Sequence, residues 1–415
     1  MSTAEPVGCE PMTRLNFEEL LAAVEDAPPV DAADVLGERL AEALGATDVS
    51  FLIADFSGQA LIRLDHAGSK AAVRTQGRET AERVPLAGTP QGRALGSQSV
   101  EVVNLAGGGA RLIAPVTNRG EAIGVLELDL PQAPDEETVA DVAFAAHALA
   151  YVVIANRRFT DLFAWGQRSV PLSLAAEIQH RLLPGSYTCE AGQFTLAAWL
   201  EPAGNVGGDT FDFAMERDTL HLSITDAMGH TVGAAVLASV LVGALRNARR
   251  AGLGLAEQAN LASTGLGDFA RRGGFVTGQV ARIDLRAGTA MIVNAGHPPP
   301  LRLRDGRVER VRLKADPPFG TTRGHEYLVQ PLPLAPGDRL MFVTDGMLER
   351  NAAGLDIEEL MAAGAEMHPR EAVQHLVRAV LQAVDGELED DAAAMCIDWD
   401  GGPPRERTSA SGADQ

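Results

Sequence analysis

Between residues 194 and 399 the chain reads as short runs of alternating apolar and polar residues broken by two helical blocks, and several runs end on an aspartate. Leu220, Leu222 and Ile224 alternate with His221, Ser223 and Thr225, the period of a strand with one buried face, and Asp226 follows at once. Residues 340–344 form a second apolar strand, closed by Asp345-Gly346. Asp209 lies in Gly207-Gly208-Asp209-Thr210-Phe211-Asp212, and Asp390-Asp391 stands just before a last strand at 393–397. Residues 279–284, 290–294 and 300–304 read as a meander, with helices expected over 234–250 and 371–384.

A carboxylate at a strand end can point off the sheet edge into a shared cleft, and neighbouring glycines let the backbone approach a ligand closely. Several carboxylates facing one point repel each other unless a cation lies between them. Hard oxygen donors of this kind select Mg²⁺ or Mn²⁺ over softer metals. Two such ions can activate a water and clamp a phosphoryl group for in-line attack. A lone Asp before Gly is more often a turn residue, and Asp305-Gly306 is read that way. Spacing by itself does not establish that the four acidic positions converge.

Charge and cysteine content narrow the function classes. The formal net charge of −21 argues against nucleic acid, whose binding needs a basic surface. The nearest basic groups, Arg246, Arg249 and Arg250 on one helix and Arg157 and Arg158 on another, read as solvated helix faces. Cys9, Cys189 and Cys396 lie far apart, so neither a disulfide framework nor a zinc-thiolate site is expected, and the chain reads as cytoplasmic. Residues 1–10 do not resemble a signal peptide, and no charge-free apolar run of about 18 residues supports a membrane span.

Five segments are expected over 415 residues: an N-terminal segment at 1–30, an α/β unit at 31–157, a helical linker at 158–190, a strand-rich domain at 191–400 and a disordered tail at 401–415. In the first unit, residues 35–44 have helical spacing and stop at Gly45. Residues 49–55 and 60–64 pair across Ser57-Gly58, and residues 111–116 and 123–130 pair across Asn118-Arg119-Gly120, a turn suited to φ > 0. His66 and His147 read as ordinary surface or packing residues. Val139, Val142, Ala146, Leu149 and Val153 alternate steps of three and four, which suits either packing on the sheet or a dimer seam. Pro171 breaks the helical stretch, and a further helix is expected over 172–183.

Residues 177–397 resemble the PPM family of metal-dependent protein phosphatases, and most of all its bacterial branch typified by SpoIIE and stress-response regulators. Seven words stand in family order: EIQHRLLP (177–184), VGGDTFD (206–212), DAMGH (226–230), NAGHPPPL (294–301), PPFG (317–320), TDGMLE (344–349) and EDDAAA (389–394). Seven in order are highly specific, although each alone is modest. The order of helix, hairpin, loops, hairpin and helix before them, with LIAPVTNRGEAIGVLELDL as its best word, is similar to GAF sensor domains. The fold class so implied is α+β: a GAF-like α/β sensor domain, a helical linker and a PPM-type β-sandwich flanked by helices.

The resemblance implies a catalytic site built on Asp226 and Asp209 and two divalent ions, Mn²⁺ or Mg²⁺. Asp226 would bridge both ions, the carbonyl of Ala227 and Asp209 would serve the second, and Asp345 and Asp390 would hold the first, with Asp391 a second choice beside it. Water, not a side chain, would be the nucleophile. His230 and His297 are expected to make structural hydrogen bonds. Departures from the family pattern are Thr231, Phe211 in place of tyrosine and Ala393 in place of threonine, and no arginine stands out to bind substrate phosphate. The implied substrate is phosphoserine or phosphothreonine on a protein of the anti-sigma-factor-antagonist type, with a homodimer through the linker helices as a further expectation and with neither nucleic acid nor membrane as partner. The alternative is a silent phosphoprotein-binding scaffold or a small-molecule sensor.

Overall fold

In a computed structural model of the protein, the described residues are 16–64, 82–168, 172–201, 207–229, 231–270, 274–348, 355–384, 388, 390–403 and 412–413. His66 and Pro171 lie outside them. The chain divides into two compact units, residues 1–169 with 408–415, and residues 170–407.

The first unit runs α1 (Phe17–Asp26), α2 (Ala32–Leu44), β1 (Asp48–Ala54), β2 (Ala60–Arg63), β3 (Arg83–Pro85), α3 (Pro90–Ser97), β4 (Glu101–Asn104), β5 (Ala110–Asn118), β6 (Glu121–Leu130), α4 (Glu136–Asn156) and α5 (Leu162–Gly166). Its strands form one antiparallel sheet in the order β3-β2-β1-β6-β5-β4. Alternation along β1 sends Phe51 and Ile53 to the face covered by α1, α2, α4 and α5, and Leu52 to the face covered by α3. The β5–β6 turn has Arg119 at φ 49° and Gly120 at φ 80°, as the sequence predicted. Of the two readings of the helical seam, the structure shows the first: Val142, Ala146, Leu149 and Val153 are consumed in the unit's own core. That face is therefore unavailable as a dimer seam.

The second unit runs α6 (Leu174–Leu182), β7 (Thr188–Glu190), β8 (Phe194–Glu201), β9 (Thr210–Met215), β10 (Thr219–Ala227), α7 (Val232–Arg250), α8 (Leu255–Phe269), β11 (Val276–Asp284), β12 (Thr289–Ala295), β13 (Leu301–Arg304), β14 (Arg307–Arg310), β15 (Gln330–Pro333), β16 (Asp338–Val343), α9 (Ile357–Ala363), α10 (Pro369–Ala383) and β17 (Ala392–Trp399). A five-stranded sheet, β15-β12-β11-β10-β9, and a six-stranded sheet, β14-β13-β16-β17-β8-β7, form a sandwich. Between them lies a core of Leu196, Phe211, Leu222, Ile224, Ile283, Ile292, Phe342 and Met395. α7 and α8 cover the outer face of the five-stranded sheet, and α9 and α10 that of the six-stranded one. Strand periodicity dictates these layers: in β17, residues 393, 395, 397 and 399 face the sandwich and residues 392, 394 and 396 face the helices.

Several expectations need correction. The run 279–304 is not one meander: β11 and β12 pair, but β13 joins the other sheet beside β16. The cause is Gly296, at φ 71°, followed by Pro298, Pro299 and Pro300, which have no N–H to continue a ladder. Arg246 and Arg249 are not on a solvated face, because both bind the buried carboxylate of Asp212, at 2.8 and 3.0 Å. α4 and α7 are long and apolar enough to cross a membrane by length and composition, yet each lays one face into a core. The tail is packed where it is described. The N–H of Gly401 donates to Gln193 O, and Gly412 accepts from the N–H of Gly120 while Ala413 is fully buried.

Candidate metal centre

All the acidic positions singled out in the sequence lie at one end of the sandwich. β9 begins at Thr210, directly after Asp209, and Thr210 pairs with Thr225 of β10, their hydroxyls 2.6 Å apart. Asp209 and Asp226 thus leave adjacent strands at the same end of the five-stranded sheet. In the other sheet Val343 of β16 pairs with Ala394 of β17, so Asp345 and the pair Asp390-Asp391 share an end as well. Thr344 joins the two sheets: its hydroxyl donates to Asp209 Oδ2 at 2.6 Å and accepts from the N–H of Ala393 at 2.9 Å. Gly208 and Gly346 permit this approach. A Cβ on Gly208 would lie 2.7 Å from the Ala227 carbonyl oxygen, and one on Gly346 would lie 1.9 Å from that of Asp391.

The electrostatics are those of crowded carboxylates. Asp226 has its pKa pushed up to about 7 by burial and by the charges of Asp345, Asp390 and Asp391, against a hydrogen bond from Thr277. Asp209 is raised well above the carboxylate range by burial and then by Asp226, Asp391 and Asp390. Asp390 and Asp391 differ in surroundings. Asp391 is buried, and its Oδ2 accepts from the amide of Gln179 at 2.6 Å and from the N–H of Gly208 at 3.0 Å. Asp390 is half-buried, and its Oδ1 accepts from the N–H of Asp391 at 2.9 Å.

This donor set fits a hard divalent cation, whose charge would offset both the burial and the mutual repulsion that raise Asp209 and Asp226. Among the described residues no three His, Cys, Asp or Glu side chains surround a common point. A cation here would take one or two carboxylates and complete its shell with water, the mode of Mg²⁺ rather than of a caged ion. Ala227 is buried at the end of β10 with its carbonyl against Gly208, where a main-chain oxygen is close to Asp226 and Asp209.

His297 is buried, its Nδ1 3.0 Å from the hydroxyl of Thr277, and desolvation pushes its pKa down to about 4. It therefore sits as a neutral ring behind the Thr277 that contacts Asp226. His230 lies outside the described residues. The departures have local explanations. Thr231 caps α7, accepting from the N–H of Gly233, and Phe211 is buried edge-on to Tyr187 in the sandwich core, where a hydroxyl would need a partner. At Ala393 the hydroxyl of the neighbouring Thr344 makes the local bonds. Sequence reasoning missed Gln179, Thr277 and Thr344. Gln179 and Thr344 stand inside two of the quoted words, but a polar residue holding a ligand carries no period or charge signal of its own.

The family model described as stage II sporulation protein E (SpoIIE) matches residues 216–400, taking in Asp226, Asp345, Asp390 and Asp391 and beginning after Asp209. Among solved structures, the RsbU and RsbW domains of a Mycobacterium tuberculosis protein are 27% identical with a TM-score of 0.44, over 52% of this chain and 63% of that one. The chain thus spans less than two thirds of that relative. The PP2C phosphatase domain with a regulatory-domain fragment of SpoIIE from Bacillus subtilis is 16% identical with a TM-score of 0.45, over 74% of this chain and 84% of that one. The catalytic domain of the serine threonine protein phosphatase PstP, solved with two manganese ions, is 15% identical with a TM-score of 0.39, over 49% and 97%. Residues 216–400, which carry four of the strand-end aspartates that crowd one end of the β-sandwich, are thus similar to the SpoIIE family.

Proposed function

We propose that this chain hydrolyses phosphoserine or phosphothreonine on a regulatory protein of the anti-sigma-factor-antagonist type. The observation that carries the reading is the crowding of Asp209, Asp226, Asp345 and Asp390 at one buried sandwich end, where burial and then the neighbouring charges lift Asp226 to about 7. Asp226, Asp345 and Asp390 with Asp209 and the Ala227 carbonyl would hold two divalent ions, Mn²⁺ or Mg²⁺, which when bound supply Lewis acidity toward a phosphoryl group. The protein's own part is to fix its donors. Thr344 holds Asp209, Thr277 holds Asp226, and Gly208 with Gln179 holds Asp391. The substrate class is supported by the seven ordered sequence words, and the GAF-like N-terminal unit is proposed to modulate the centre through the residues that join the two units.

The test is phosphate release from a generic phosphoester and from a phosphoserine protein, with Mn²⁺, with Mg²⁺ and with chelator, on wild type and Asp226→Asn. Metal-dependent turnover lost in the variant is expected. No turnover with either metal from folded wild type that still binds the phosphoprotein would favour a silent scaffold. Removing residues 1–135 with no change in rate would refute the regulatory part.

A further inference from the structure

Gln179 lies on α6, before the segment matched by the family model, and is completely buried. Its Nε2 donates to the carbonyl oxygen of Asp209 at 2.7 Å and to Asp391 Oδ2 at 2.6 Å. Both amide hydrogens are thereby used, on residues from the two different sheets. The orientation of the amide is fixed by this pairing, because the reverse would set Oε1 against two acceptors. Oε1 itself is buried with no hydrogen-bond partner among the described residues. A buried amide that satisfies only its nitrogen is retained at a cost in stability, and that points to a role beyond holding the fold.

A second contact couples the same helix to the same loop. A Cβ on Gly207 would lie 2.8 Å from the main-chain carbon and oxygen of Ala175 on α6. The turn 207–209 is therefore seated on the α6 backbone at Gly207, and tied at its other end by the Gln179 amide to the Asp209 carbonyl. The N–H of Gly208, between them, donates to the same Asp391 oxygen that Gln179 holds.

We infer that Gln179 is a positioning residue of the metal centre: it sets the place of Asp209 and Asp391 together, so that α6 carries part of the geometry on which cation binding depends. This rests on the metal-dependent reading above. Losing the amide leaves both carboxylate-bearing segments free to move apart under their own repulsion, and cation affinity falls although no ligand has been removed. Groups that orient ligands without touching the metal carry effects of about 10–100-fold in affinity.

The experiment is Mn²⁺ titration by calorimetry on the full chain, wild type against Gln179→Met, together with the metal concentration giving half-maximal phosphate release. Expected are a Kd for Mn²⁺ raised about 10–100-fold, a matching rise in half-saturating metal, and a metal-free melting temperature that does not fall. Gln179→Asn, one methylene short of both acceptors, is expected to behave like Gln179→Met. An unchanged Kd in a folded variant overturns the inference, as does a drop in metal-free stability with affinity intact. Failure of both variants to fold makes Gln179 a structural residue and also overturns it. Wild type that binds no Mn²⁺ would instead sink the metal-dependent reading itself, whatever the variants do.

Discussion

Thr344 donates its hydroxyl hydrogen to Asp209 at 2.6 Å, across the gap between two sheets and 135 residues of chain. The donor follows β16 and the acceptor precedes β9, so this bond, with that from the Gly208 N–H to Asp391, ties the sheets together at the end where the carboxylates crowd. Thr344→Val keeps the shape and removes the bond, leaving Asp209 and the N–H of Ala393 buried without it. We expect a loss of about 1–3 kcal/mol in urea unfolding of the metal-free protein, with Thr344→Ser close to wild type. Equal midpoints for Val and wild type would show the bond to be incidental.

Gly346→Ala tests how closely the two acidic loops are pressed together. The added Cβ would meet the Asp391 carbonyl at 1.9 Å, backbone against backbone, with no flexible side chain to yield. The loop after β16 must then shift away from Asp390-Asp391. Overpacking of this kind costs about 1–3 kcal/mol, and Mn²⁺ titration of the variant should show weakened binding. A variant with wild-type affinity would mean that the centre tolerates displacement of Asp345.

His297 gives a pH dependence of definite sign. Its folded-state pKa of about 4 lies below the ordinary imidazole value of 6.5, because burial disfavours the charged ring. Between these values the unfolded chain binds a proton that the folded chain does not. Stability is thus intact above pH 6.5 and falls as pH drops toward 4, by roughly 3 kcal/mol in all from this residue. His297→Gln should flatten the curve over that window in urea melts. Parallel curves for the two proteins would show that the ring is protonated in the folded state.

Asp212 tests the clamp on α7. Its carboxylate is nearly buried and meets Arg246 and Arg249, and Arg246 also donates to the Leu182 carbonyl at the end of α6. Removing the shared anion leaves two guanidinium groups partly desolvated beside each other. Asp212→Ala should cost about 3 kcal/mol, read by denaturation, and a loss under about 1 kcal/mol would place these pairs with ordinary surface bridges.

Much of this was legible in the sequence, for identifiable reasons. β10, β16 and β17 announce themselves by period-2 alternation or apolar runs, and the aspartates stand at the strand ends where the sequence put them, closing β10 and β16 and preceding β17. The αL glycine after α2 and the Arg119-Gly120 turn were readable because few residues accept positive φ. α8 was missed: Ser263, Thr264, Gly265 and Gly267 lower its helix propensity, and its start is marked only by the Glu257 side chain accepting from the Gly254 N–H. The sheet switch at β13 was missed because alternation specifies a strand and not its partners. Gln179 and Thr344 escaped for a further reason. Their partners lie 212 and 135 residues away, and no local pattern encodes such a pairing.

β17, the strand that follows Asp390-Asp391, sits between β16 and β8 in the middle of its sheet rather than at an edge. During synthesis it is the last strand of the unit to leave the ribosome. Until it does, β8 and β16 each present an open ladder with no central partner, and the carboxylates contributed from 390 and 391 do not yet exist. Translation that stops before residue 390 yields a protein with neither a closed sandwich nor a full set of acidic groups. Addition of β17 is thereby made a precondition of the assembled sandwich end.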